Sequence, residues 1–205
     1  MQEFREIPTN SKSIFMRKAI YGVGINDSNY QVQPIIKSKQ IRCPYYEVWR
    51  GMLQRCYDPK YQSKQPTYIG CTVCESWLVF STFKSWMETQ NWVGNQLDKD
   101  LLILGNKHYS PDTCMFVPSE VNSLLTDRKA KRGNYLLGVC FDSKNNKYVA
   151  QCSKKGKRIK IGRFLSELEA HQAYIVCKKQ VIYETANEQT DVKIKEALLK
   201  IASEY

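Results

Sequence analysis

At 205 residues the chain can form one large or two small domains and bury a real core. Its formal charge is +11, from 31 Lys and Arg against 20 Asp and Glu, and such an excess favours a polyanionic partner, nucleic acid or an acidic membrane surface. No stretch approaches the roughly 18 apolar residues that span a bilayer, and Met1-Gln2-Glu3-Phe4-Arg5 lacks the apolar core of a signal peptide, so neither membrane insertion nor secretion is expected.

Residues 1–42 are mixed and punctuated by glycine. Tyr21-Gly22-Val23-Gly24 and Asn26-Asp27-Ser28-Asn29 read as turns, and the segment is an arm or packs against the rest. Gly22-Val23-Gly24 is no phosphate loop, because no Gly-Lys-Ser/Thr follows it. Pro44 to Tyr57 reads as a helix, with Trp49, Met52, Leu53 and Cys56 at i, i+3, i+4 and i+7. Arg50 and Arg55 lie on its other faces, as solvated charges or as contacts to phosphate. Asp58-Pro59 stops this helix, and Tyr61 to Gly70 is polar loop. A second helix is predicted from about Glu75 to Thr89, its Trp77, Phe80, Phe83 and Met87 at core spacing.

The eight cysteines, with no secretory signal, are expected as reduced and mostly buried thiols. Cys71-Thr72-Val73-Cys74 is the one close pair. Even with Cys56 and Cys114 nearby, no second CxxC completes a zinc set, so structural zinc is not expected.

From Leu97 the pattern becomes strand, loop, strand, helix. Leu97 to Leu104 is an apolar run ended by Gly105-Asn106, and Thr113 to Val117 is short and β-favouring. Pro118 suits a first helical turn, after which Val121, Leu124 and Leu125 share a face. A hairpin followed by a helix can bring Asp98 near Asn122. A carboxylate and an amide oxygen converging there suit magnesium or manganese, which keep water and substrate phosphate as further ligands.

Asp127 to Asn134 reads as a charged linker. Beyond it, Gly138–Phe141, Lys147–Gln151 and Ile159–Phe164 read as three short strands, joined by turns at Asn145-Asn146 and Lys155-Gly156. A helix follows, opened by a Ser166–Glu169 capping box and carrying Ala170, Ala173, Tyr174, Cys177 and Val181 inward. Period-two alternation puts Ile159 and Ile161 on one face, and Tyr148, Ala150 and Cys152 together, against that helix. The opposite face then carries Lys147, Gln151 and Ser153 with Arg158 and Lys160, and Arg163 on the last strand is a further candidate DNA contact. Residues 131–165 hold ten basic residues and one acidic residue, Asp142. A single-sign surface of this kind calls for a polyanion. Asp191 to Ser203 is a final amphipathic helix with Ile194, Leu198 and Ile201 on one stripe.

The stretch from Asp98 through Thr113 to Asn122 resembles the core of the HNH nucleases, the ββα-metal fold, in its phage homing-endonuclease branch. Tyr57, Cys74-Glu75-Ser76-Trp77-Leu78 and Phe83 extend the resemblance over roughly residues 45–125. It implies a metal-dependent DNA endonuclease of the bacterial host cytoplasm, with Asp98 and Asn122 as metal ligands. Lys99 stands where the family's general-base His belongs, and Thr113 where its middle Asn belongs. The base is then Lys99 itself, water or substrate, or His108 or Tyr109 in the following loop. Residues 133–186 resemble the Apetala-type domain of plant ethylene-response factors, which lays a three-stranded sheet in the major groove of double-stranded DNA. By position Gln151, Ser153, Arg158 and Lys160 match its contact sites, while Cys140 and Asp142 replace its arginine-rich first strand. The expected fold is therefore α+β. An arm (1–42) precedes an HNH-like ββα-metal domain with flanking helices (43–128), followed by a three-stranded antiparallel sheet packed on a helix (133–186) and a terminal helix (187–205). The competing reading is a catalytically degenerate HNH fold that only binds DNA.

Overall fold

The computed structural model describes residues 4–125 and 134–205. The protein is mixed α+β. The described residues fall into two compact units, one of residues 4–93 and 97–116 and the other of 94–96 and 117–205. The predicted linker falls mostly outside the described residues, as do both domain borders placed at 128 and 133.

In the first unit the central element is α2 (Pro44–Tyr57), which follows a short α1 (Ser11–Phe15) and in which Pro44 takes the first helical turn without losing a hydrogen bond. Its apolar stripe is buried as the spacing predicts: Trp49, Met52 and Leu53 are completely inaccessible. Asp58 does more than stop the helix. Its side chain accepts from the Lys60 N–H at 2.9 Å and so caps a further helix, α3 (Pro59–Lys64), within what reads from sequence as loop. The helix expected over 75–89 is broken. A 3-10 turn, Glu75–Leu78, is separated from α4 (Phe80–Glu88) by extended Val79. The break has a cause in the N-terminal segment, since Ile25 donates to Leu78 O at 2.8 Å and Phe80 donates to Ile25 O at 2.9 Å. Trp77, Phe80, Phe83 and Met87 still enter the core, and the Trp49 indole N–H is satisfied by Trp77 O at 2.7 Å. Gly24 lies so close to this core that a Cβ there would sit 2.3 Å from Leu53 Cδ1. Residues 20–30 are therefore part of the packing.

Short strands complete this region. Strand β1 (Thr72–Val73) runs parallel to β3 (His108–Tyr109), and β2 (Gln96–Asp98) pairs with β4 (Met115–Val117). The strand read as Leu97–Leu104 is much shorter than its apolar run. Asp98 Oδ1 accepts from the N–H groups of Asp100 at 2.9 Å and Leu101 at 2.7 Å, which turns the chain away from the ladder after three residues.

In the second unit α5 (Ser119–Leu125) precedes an antiparallel sheet of β5 (Val139–Asp142), β6 (Lys147–Lys154) and β7 (Lys157–Phe164) in that order. One face is covered by α6 (Glu167–Asn187), and α7 (Val192–Glu204) packs on α6 with Ile194, Leu198, Ile201 and Ala202 buried. Both halves of the Ser166–Glu169 capping box are present. The β6–β7 turn has Lys155 at φ 49° and Gly156 at φ 74°, the doubly left-handed pair that a two-residue hairpin needs. Gly138, at φ 80°, lets the backbone reach the Tyr174 ring, where any Cβ would clash.

Candidate nucleic-acid interface

The register of the sheet decides which side chains share its open face. Gln151 pairs with Lys160, Ser153 with Arg158, Val149 with Arg163, and Asp142 with Lys147. Directly paired residues point the same way, so all six basic and polar candidates lie together on the face opposite Val139, Ala150 and Cys152. Lys147, Ser153, Arg158, Lys160 and Arg163 are exposed, and Gln151 is half-buried. Simple alternation puts Arg163 with Ile159 and Ile161, on the helix side. A bulge corrects this. The register passes from Gln151↔Lys160 to Ala150↔Gly162 and leaves Ile161 as the extra residue, which brings Arg163 onto the basic face. Ile159 and Ile161 accordingly do not act as one apolar pair.

Two features temper the charge of this face. Arg163 Nε donates to Asp142 Oδ2 at 3.2 Å, and Val149 is buried among the polar residues. The Asn145 amide, bound to the same carboxylate oxygen at 2.8 Å, holds the Asp142 carboxyl below its ordinary value, and Arg163 adds to the effect. Lys154 and Lys155 are turned elsewhere. They bind Glu184 and Glu188 of α6 at 2.8–3.3 Å and so tie the hairpin end to the helix.

The hairpin candidates of the first unit form a connected polar network. Lys99 is buried, and its ammonium donates to both carboxylate oxygens of Asp100, at 2.7 and 2.8 Å, and to Asn106 O at 2.6 Å. All three of its donors are engaged, which leaves none for a water or a phosphate. Asn106 in turn donates to Lys99 O and His108 O, at 3.0 and 2.6 Å. Thr113 Oγ1 donates to His108 O at 2.8 Å and lies 3.0 Å from Ser110 Oγ. The exposed His108 ring is tethered through Nδ1 to Thr72 Oγ1 at 2.8 Å. Tyr109 points inward, its hydroxyl accepting from Arg55 Nε at 3.0 Å, and burial pushes its ionisation far above the ordinary range.

Asp98 stands at the edge of this network. Burial raises its carboxyl above the ordinary value, partly offset by the N–H groups of Leu101 and Asp100. Both of those bonds go to Oδ1, and no donor among the described residues reaches Oδ2. A carboxylate oxygen of this kind is one donor of the several that a hard divalent cation takes. Among the described residues no group of three or more His, Cys, Asp or Glu is placed to hold a metal ion. Asn122 belongs to the other unit, on α5, where its amide donates to Gln96 Oε1 at 2.7 Å.

Sequence reasoning passed over Asp100, Asn106 and Thr72, which anchor the network, and Lys178 on α6. Lys178 is buried on the stripe between Tyr174 and Val181 and donates to Leu124 O. Its place four residues after Tyr174 and three before Val181 was the available signal. No family model, curated protein or solved structure matches the chain.

Proposed function

We propose that this chain binds double-stranded DNA through the open face of β5–β7, with the HNH-like hairpin of the first unit serving as scaffold. The observation that supports the reading is the cross-strand set Gln151–Lys160, Ser153–Arg158 and Val149–Arg163, which presents three cations and two amide or hydroxyl groups on one side of a sheet backed by a helix. Cations fix register on phosphates, while Gln151 and Ser153 can read base edges in a major groove wide enough to admit a β-surface. Anisotropy titrations of a labelled duplex across a salt series test it. Replacing Arg158 and Lys160 with Ala reduces the log–log salt slope by about 0.9 for each phosphate no longer neutralised. An unchanged slope rejects this face as the interface.

Metal-assisted phosphodiester hydrolysis is the second reading, favoured by Asp98 Oδ2, which no donor among the described residues reaches. Asp98 would hold Mg2+ or Mn2+, which supplies neutralisation of the scissile phosphate and of the leaving oxygen. Lys99, locked to Asp100 and Asn106, then positions the turn that carries Asp98. Nicking of supercoiled plasmid in either metal, lost in Asp98→Asn, selects this reading. Duplex binding without nicking in either metal selects the binder.

A further inference from the structure

The N-terminal segment carries a basic and apolar finger that neither reading uses. It is built around the short helix α1, capped by Asn10 Oδ1 on the Ser13 N–H at 2.7 Å. At its tip Phe15 is 87 % exposed, Met16 68 % and Ile14 39 %. Three adjacent large apolar side chains standing in water call for an occupant. The finger is firmly mounted. The Arg17 guanidinium donates to the carbonyls of Asn26 at 2.8 Å, Ser28 at 2.6 Å and Tyr30 at 3.2 Å, and Thr9 donates to Asn29 O at 3.0 Å. Lys12 and Lys18 flank the tip, both exposed, and no acidic residue occurs from Ile7 to Asn26.

We infer that Phe15 and Met16 form a wedge that enters duplex DNA between base steps, with Lys12 and Lys18 on the adjoining phosphates. The inference rests on the reading that the chain binds duplex DNA. Charge complementarity selects the occupant. Phe and Met are among the side chains that unstack a base step when pressed into the minor groove, and flanking cations are what the narrowed phosphate walls require. A rigid mount serves this purpose, because a wedge on a loose arm would fold back rather than part the bases.

A plasmid topology assay in EDTA, which keeps divalent metals out of any cleavage site, reads the wedge directly. The native chain is bound to relaxed circular DNA, a metal-independent topoisomerase removes free supercoils, and the supercoils that remain after deproteinisation count base steps opened. Native protein leaves supercoils. Phe15→Ala with Met16→Ala, on an exposed tip where folding is not at stake, leaves the circle relaxed and binds about tenfold more weakly with an unchanged salt slope. Phe15→Trp restores the supercoils. Lys12→Ala with Lys18→Ala lowers the slope by about 0.9 for each phosphate set free. Native binding without supercoils, or supercoils indifferent to Phe15 and Met16, overturns the wedge and leaves the sheet interface standing. So does a tip that self-associates in sedimentation or binds vesicles of neutral lipid instead. Failure of the native chain to bind any duplex overturns both.

Discussion

Asp98 and Lys99 are adjacent, yet their side chains do different work, and substitutions separate them. Asp98 Oδ1 accepts from two backbone N–H groups, those of Asp100 and Leu101. Asp98→Ala therefore destabilises the first unit by about 1–3 kcal/mol, the cost of leaving part-buried donors unmet. Asp98→Asn keeps the acceptor and shifts the denaturant midpoint little, so nicking lost in Asp98→Asn alone reports on chemistry rather than folding. The raised carboxyl sets a sign for pH. Its folded form holds the proton more tightly than the unfolded one, so its contribution is complete below the unfolded value of 3.8 and fades as pH climbs through the folded value. Asp98→Asn flattens that dependence in urea titrations run across acid pH. Lys99→Ala removes the ammonium joining Asp100 to Asn106. The Asp100 side chain is 44 % exposed and can rehydrate, so the loss is about 1–3 kcal/mol, less than for a fully buried pair. A Lys99→Ala variant as stable as the native chain would return Lys99 to the list of groups free to act on substrate.

At the scale of elements, two local features lend themselves to measurement. Lys155 occupies a left-handed position that Asn adopts more readily, while its ion pair with Glu188 is exposed and weak. Lys155→Asn accordingly raises the melting point in thermal melts; a lower melting point would show the ion pair to outweigh the turn. Lys178 is the opposite case. Burial lowers its amine below 10.5, so the unfolded chain holds the proton more tightly and stability rises with pH from the folded value up to 10.5. Lys178→Met fills the same space without charge and removes this rise, which urea midpoints at neutral and alkaline pH detect. Local patterns made much of this fold legible: Pro44 and the Trp49–Cys56 stripe for α2, the capping box for α6, and the turn residues for the sheet. What stayed hidden depends on side chains meeting the backbone or on long-range packing. The Asp98 turn cut a promising apolar run to three residues, Ile25 broke a helix from more than fifty residues away, and a one-residue bulge moved Arg163 across the sheet. Five of the six residues of the basic face were legible because they alternate, and Arg163 was the exception. The Lys99 network was not legible, since its partners lie one and seven residues along a turn no period describes.

For the molecule as a whole, a net charge of +11 makes two opposite demands on salt. In the free chain the excess cations repel one another, and screening over a Debye length of about 10 Å at 0.1 M relieves that strain. Added salt thus raises the melting point of the free protein. In the proposed duplex complex the same cations would displace condensed counterions, so added salt would weaken binding steeply. Bound duplex stabilises the fold by RT ln(1 + [L]/Kd), a quantity that shrinks as Kd rises. Melting curves with and without duplex should therefore lie far apart at low salt and converge as salt increases, the free curve climbing while the bound one falls toward it. Arg158→Ala with Lys160→Ala narrows the initial gap and slows the convergence, because two fewer counterions are exchanged. A free protein that loses stability with salt, or a gap that stays constant, would mean that the surplus charge is neutralised within the fold and is not offered to a polyanion.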